Sequence, residues 1–152
     1  MCSMVIEWLS KTVPEFEQLS APEKEAISDF AILWSFFEAR CLDNRAAMPE
    51  IRIYVQGLTQ ETLDAVNVEA MAAYFRGRYV EKSGEWSNRY YHLHLERSGS
   101  PEEVTSMLHN HAESDRQKLA GCLGIIFRYR NNLFHGEKWR YELQEQQENF
   151  ER

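Results

Sequence analysis

A short segment of this 152-residue chain brings together residue types that can bind a phosphate and move a proton. Residues 127–138 read FRYRNNLFHGEK. At helical spacing Asn131 and His135 lie four residues apart and share one face. Arg130 lies one step around the helix, and its long side chain can reach the same place. The segment therefore predicts one polar site built from Arg130, Asn131 and His135.

These residue types suit the cleavage of RNA without a metal ion. Arginine presents a fixed fork of donors to phosphate oxygens and stays charged, and histidine gives and takes a proton near neutral pH. RNA carries its own nucleophile, the 2′-OH, so catalysis needs a base, an acid and stabilisation of the charged phosphorane. One Arg/His set supplies half of these groups, and a symmetric dimer would supply all of them.

The same residues resemble the signature of the HEPN superfamily, the higher-eukaryote and prokaryote nucleotide-binding domains. That signature is an arginine followed after four to six residues by a histidine, with a polar residue directly after the arginine. Arg130, Asn131 and His135 fit it with four residues between Arg and His. Arg128 would fit at six, but Arg130 is preferred because Asn131 follows it. The segment looks like prokaryotic members tied to toxin–antitoxin and phage-defence systems.

The resemblance covers residues 23–150 and implies an all-α, up-and-down bundle of four to five helices. It further implies a homodimer whose motifs meet at the interface, an RNA substrate, and an antitoxin or regulatory protein as partner. Arg130 would bind the scissile phosphate, His135 would be the general acid and base, and Asn131 would orient the phosphate or the histidine. Some toxin members have a tyrosine where this chain has Glu137, so modification there is not expected.

Three further residues are supporting members of the predicted site. Glu38 is a candidate partner for the catalytic groups, although a solvated carboxylate is the favoured interpretation. Tyr129 is the aromatic residue beside the motif that could stack on a base. Lys138 belongs to the Gly-x-Lys sequence that follows His135.

Other interpretations stay open at this point. A helix C-terminus attracts cations through its dipole, and Gly136 could simply cap such a helix. A non-catalytic HEPN module could use the same groove to bind nucleotide, RNA or a protein partner. A helical assembly subunit associated with a nucleotidyltransferase is a third interpretation, which predicts a stable hetero-complex and no activity alone.

The elements that must position the site are predicted to be helices. Period-3.6 patterns and capping signals predict the following helices: Met4–Lys11; from the Ser20–Glu23 capping box to about Leu42; from Thr59 or Gln60 to near Gly77; from the Ser100–Glu103 capping box onward; from after Ala112 through Phe127; and Lys138–Phe150. Residues 51–55 and 91–95 alternate with period two, so a short extended or β segment is the alternative there. The tryptophan and phenylalanine residues of 30–37 and 123–134 are assigned to the core, and Leu33 to the apolar stripe that faces it.

Composition indicates one soluble domain over residues 1–152. The chain is 43% hydrophobic, and its apolar runs are too short to span a bilayer. Three widely spaced cysteines indicate reduced thiols and a cytoplasmic location. Net charge is −7, yet residues 116–140 hold six basic side chains against Glu137 alone. The pairs His92/His94 and His109/His111 lack further ligands at zinc spacing, so no metal or cofactor is expected.

Overall fold

The structure, a computed structural model, describes residues 4–135, and this part of the chain is helical as predicted. It contains nine α-helices and one 3₁₀ turn, with no β-strand. The helices are α1 Met4–Thr12, α2 Pro14–Glu17, α3 Ala21–Cys41, α4 Met48–Gly57, α5 Gln60–Ala65, α6 Val68–Tyr79, α7 Asn88–Tyr91, α8 Glu102–Leu108 and α9 Asp115–Phe134; the 3₁₀ turn, Leu95–Ser98, lies between α7 and α8. None of them has both the length and the apolar character needed to cross a membrane.

The described residues form two compact units. The first unit contains residues 4–37 and 130–135, and the second contains residues 38–129. Helices α3 and α9 each contribute residues to both units. The single domain over residues 1–152 stays a prediction, and the predicted helix Lys138–Phe150 lies outside the described residues.

Helix α3 begins, in the first unit, with the capping box that the sequence predicts. The Ser20 N–H donates to Glu23 Oε2 at 2.8 Å, and the Glu23 N–H donates to Ser20 Oγ at 3.4 Å. Both bonds satisfy amide groups that have no partner within the helix. This confirms the predicted start of α3, and its end at Cys41 agrees with the predicted limit near Leu42.

Only one face of α3 is buried. Ala26, Ile27, Phe30 and Trp34 form that face. The side chains of Ile32, Leu33 and Phe36 are 68%, 65% and 63% exposed. The assignment of Leu33 and Phe36 to the core is therefore wrong, because both project from the part of the helix surface that the buried stripe leaves uncovered.

Both segments with period-two alternation fold without strands. Residues 51–55 lie inside α4, where Ile51 and Val55 are buried one turn apart and Ile53 is 72% exposed. Residues 91–95 run from the end of α7 through a turn in which His94 is left-handed, with φ 52° and ψ 48°. Five residues are too few to distinguish the period of two of a strand from the period of 3.6 of a helix, because an i, i+4 apolar pair satisfies both.

Two other predicted helices differ from the structure. The helix expected from Thr59 or Gln60 to near Gly77 is divided into α5 and α6, because Asn67 Oδ1 accepts the Ala70 N–H at 3.1 Å and caps a new helix. Helix α8 begins at Glu102, one residue later than the Ser100–Glu103 capping box predicts, with Pro101 as its N-cap and no side-chain cap. Ser100 adopts a left-handed φ of 48°, which takes it out of the predicted capping box.

The core of the second unit depends on a close approach between α8 and α9. A Cβ at Gly121 would lie 2.6 Å from the Glu103 carbonyl oxygen and 2.7 Å from Met107 Cβ. The next residue, Cys122, is fully buried, and burial raises the pKa of its thiol to about 12. Glycine at position 121 thus lets the two helix backbones pack in contact.

Gly121→Ala should lower the free energy of unfolding by about 1–2 kcal/mol, because backbone overlap with α8 outweighs the better helix propensity of alanine. Gly77→Ala in α6 is the matched control, since a Cβ there meets no atom within 4 Å. It should raise the free energy of unfolding by about 0.5–1 kcal/mol. Urea unfolding measures both; a stabilising Gly121→Ala would contradict this description of the α8–α9 contact.

Candidate functional site

The last turn of α9 presents the predicted site residues. Asn132 and Leu133 are buried, Arg130 and Asn131 are half-buried, and His135 is exposed directly after the helix ends. The His135 N–H donates to the Asn131 carbonyl oxygen at 2.9 Å, which continues the helical bonding past Phe134. Arg130, Asn131 and His135 are thus more accessible at this end of α9 than Asn132 and Leu133 are.

Arg130 is held by its neighbours on this turn. Its Nη1 donates to Asn131 Oδ1 at 2.9 Å. Its guanidinium carbon lies 5.4 Å from the centre of the Phe134 ring. A planar guanidinium that is oriented by an amide oxygen and an aromatic ring keeps a defined direction for its other donors. The structure therefore brings Arg130 and Asn131 together, with His135 joined to Asn131 through the backbone.

The other arginine that could complete the motif has a structural role. Arg128 is 3% exposed, and its Nε donates to the Leu93 carbonyl oxygen at 2.9 Å. Its Nη1 donates to Ser98 Oγ at 2.9 Å. These bonds tie α9 to the turn around residues 93–98 within the second unit. The choice of Arg130 as the arginine of the motif stays a prediction.

Three of the six basic residues in 116–140 make contacts within the second unit. Arg116 donates to the carbonyl oxygens of Val55 and Leu58, both at 2.7 Å, and so caps the C-terminus of α4. Lys118 Nζ lies 2.7 Å from Glu69 Oε2. With Arg128 also bonded internally, three of the described basic side chains of this segment have partners within the second unit.

Tyr129 is a core residue and not a stacking surface, which corrects the sequence-based expectation. It is 1% exposed, its ring centre lies 6.3 Å from that of Phe75, and its hydroxyl hydrogen-bonds to the Tyr79 hydroxyl. Burial raises the pKa of Tyr79 to about 12 and raises that of Tyr129 well above its ordinary value. A base could reach this ring only if the second unit opened.

Of the supporting residues other than Tyr129, Glu38 lies within the described part of the chain. Glu38 is half-buried near the end of α3, where its carbonyl oxygen accepts the N–H groups of Leu42 and Asn44. Its role beside the catalytic groups stays a prediction. Gly136 and Lys138 lie outside the described residues.

Sequence reasoning missed Phe134, which it assigned to the core. The side chain is 55% exposed and contacts Arg130. Its position was readable from spacing, because residue 134 lies four after Arg130 and therefore on the polar face of the helix end. Leu133, one residue earlier, takes the buried position.

The His109/His111 pair of the second unit has an aromatic neighbour. The His109 ring centre lies 4.1 Å from that of Trp86 and 5.9 Å from that of His111. Within residues 4–135 there is no group of three His, Cys, Asp or Glu side chains that could hold a metal ion.

No protein-family model, curated protein or solved structure matches this chain. The resemblance to the HEPN superfamily accordingly rests on the Arg130–His135 motif and its surrounding sequence.

Proposed function

We propose that this protein is a metal-independent endoribonuclease that acts as a toxin or phage-defence effector, with its active site at a homodimer interface. The observation that carries the proposal is the Arg130–Asn131 hydrogen bond one helical turn before an exposed His135. A charged fork and a titratable ring at one helix end match what phosphoryl transfer from RNA requires.

Arg130 would bind the scissile phosphate. The guanidinium, oriented by the hydrogen bond from Nη1 to Asn131, would contact oxygens of the phosphate through charge-assisted hydrogen bonds. Negative charge accumulates on these oxygens as the pentacoordinate phosphorane forms, so the guanidinium stabilises the transition state more than the ground state. Asn131 orients the guanidinium in this scheme.

His135 would move the protons. A neutral imidazole accepts the proton of the 2′-OH as its oxygen attacks the adjacent phosphorus. An imidazolium donates a proton to the 5′-oxygen as the P–O5′ bond breaks, which leaves a 2′,3′-cyclic phosphate and a 5′-OH. One histidine cannot be in both protonation states at once. A second copy of the chain would supply the other imidazole.

The exposed surface of the first unit supports an assembly. Ile32, Leu33 and Phe36 are apolar and each more than 60% exposed, and exposed apolar clusters are typical of protein–protein interfaces. A second copy is the partner that the two-histidine scheme requires. Restraint by an antitoxin or regulatory protein is part of the proposal through the family resemblance.

Labelled single-stranded RNA incubated with the protein in excess EDTA tests this function. Wild type should release fragments that end in 2′,3′-cyclic phosphate, and His135→Ala should cleave about 100-fold or more slowly. His111→Ala, which alters an exposed histidine of the second unit, is the matched control and should cleave like wild type.

Two outcomes would count against the proposal. Equal cleavage by wild type and His135→Ala would remove His135 from the chemistry. An absence of cleavage by a folded, dimeric wild type would favour the alternative, a non-catalytic module that binds nucleotide, RNA or a protein partner.

A further inference from the structure

We infer that Phe134 is the surface on which the nucleobase beside the bound phosphate stacks, an inference that rests on the proposed binding of RNA phosphate by Arg130. It adds to that proposal a contact for the base. This contact implies a preference for unpaired RNA and little dependence on the base sequence.

The first argument is the exposure of Phe134. Its side chain is 55% exposed, whereas Phe127 and Leu133 of the same helix are 7% and 6% exposed. Burial of a phenyl ring is favourable by about 1.5–3 kcal/mol, so the core gains nothing from a ring placed here. Proteins that bind single-stranded nucleic acid combine positive charge with aromatic side chains on which bases stack.

The second argument is the contact with Arg130. The guanidinium carbon lies 5.4 Å from the ring centre, so one part of the ring faces the cation that would bind phosphate. More than half of the side chain remains open to solvent. A base is joined to its phosphate through one ribose, so a nucleotide with its phosphate on Arg130 has its base within reach of the same helical turn.

The chemistry of the neighbours defines the kind of recognition. Every base has a π-face, so stacking on phenylalanine is largely independent of sequence. Asn132 could otherwise read the edge of a base, but it is 2% exposed and lies on the buried side. A base must leave its helical stack to reach Phe134, so single strands, loops and bulges are the substrates that fit.

Binding of two non-cleavable oligomers of equal charge tests the inference. The probes are a fluorescent 10-mer of 2′-deoxyadenosine and a 10-mer of abasic deoxyribose phosphate, each titrated by anisotropy with the full chain. Wild type should bind the adenine oligomer about tenfold more tightly. Phe134→Leu should remove this difference, and Phe134→Tyr should keep it. Tyr91→Leu, which alters a 63% exposed tyrosine of the second unit, should keep it too.

Each contrary result has a distinct meaning. If wild type binds both oligomers equally, and Arg130→Ala weakens both, stacking is rejected while the phosphate site stands. If Phe134→Leu weakens both oligomers alike and their difference persists, Phe134 only positions Arg130 and the inference is overturned. If wild type binds neither oligomer, the proposed phosphate site fails, and the stacking inference fails with it.

Discussion

Arg130→Ala should cleave RNA about 100- to 1000-fold more slowly than wild type, the loss that follows removal of one preorganised donor from a developing oxyanion. The guanidinium would be the charged group on the phosphorane, and its hydrogen bond to Asn131 fixes its direction before substrate binds. Arg130→Lys keeps the charge but loses the planar fork, so its rate should lie between those of wild type and Arg130→Ala. Initial rates at saturating RNA in EDTA measure the effect.

The same substitution should leave the folded state nearly unchanged. Arg130 is half-buried at the end of α9, where its contacts include Asn131 and Phe134 of the same turn. The circular dichroism spectrum and the urea unfolding midpoint of the Arg130→Ala variant should stay close to those of wild type. Cleavage by folded Arg130→Ala within threefold of the wild-type rate would exclude Arg130 from the active site.

Arg128→Ala, in contrast to Arg130→Ala, should destabilise the folded state and lower the free energy of unfolding by about 3 kcal/mol. The substitution deletes two hydrogen bonds from a charged group to Leu93 and Ser98, and it leaves the Leu93 carbonyl oxygen without this buried donor. Hydrogen bonds to charged groups contribute about 1.5–3 kcal/mol each when they are buried. Urea unfolding followed by circular dichroism measures the difference.

Arg130→Ala is the matched control for this experiment, because it removes the same side chain two residues along the same helix. A loss below about 1 kcal/mol in Arg128→Ala would show that water replaces the two bonds. Taken together, the two variants separate the arginine that stabilises the fold from the arginine of the proposed active site.

The long helices were predictable because several local signals agree. Helix α3 has a capping box, proline in its first turn and an apolar stripe of 3.6-residue period, and the structure confirms both of its ends. Short elements were not predictable in the same way. Residues 51–55 fit both the strand period and the helical period. The break at Asn67 depends on one hydrogen bond, in which the Asn67 side-chain oxygen accepts the Ala70 N–H and starts a new helix.

The position of the candidate site at the end of α9 was also predictable, because it follows from the spacing of Arg130, Asn131 and His135. The environments of its neighbours were not. Tyr129 and Phe134 are both aromatic and lie near the motif, yet one is 1% and the other 55% exposed. Which of two such rings enters the core depends on the partners that tertiary packing supplies, here Phe75 and Tyr79 for Tyr129.

The fully buried Cys122 gives the second unit a built-in chemical reporter. Thiol reagents react with the thiolate, and a pKa of about 12 together with complete burial keeps that species unavailable while α9 stays packed. With Cys2 and Cys41 replaced by serine, the labelling rate of Cys122 would be proportional to the fraction of molecules in which α9 has transiently separated from its neighbours. The ratio of that rate to the rate in the unfolded chain is an opening equilibrium constant, measured in native buffer without denaturant.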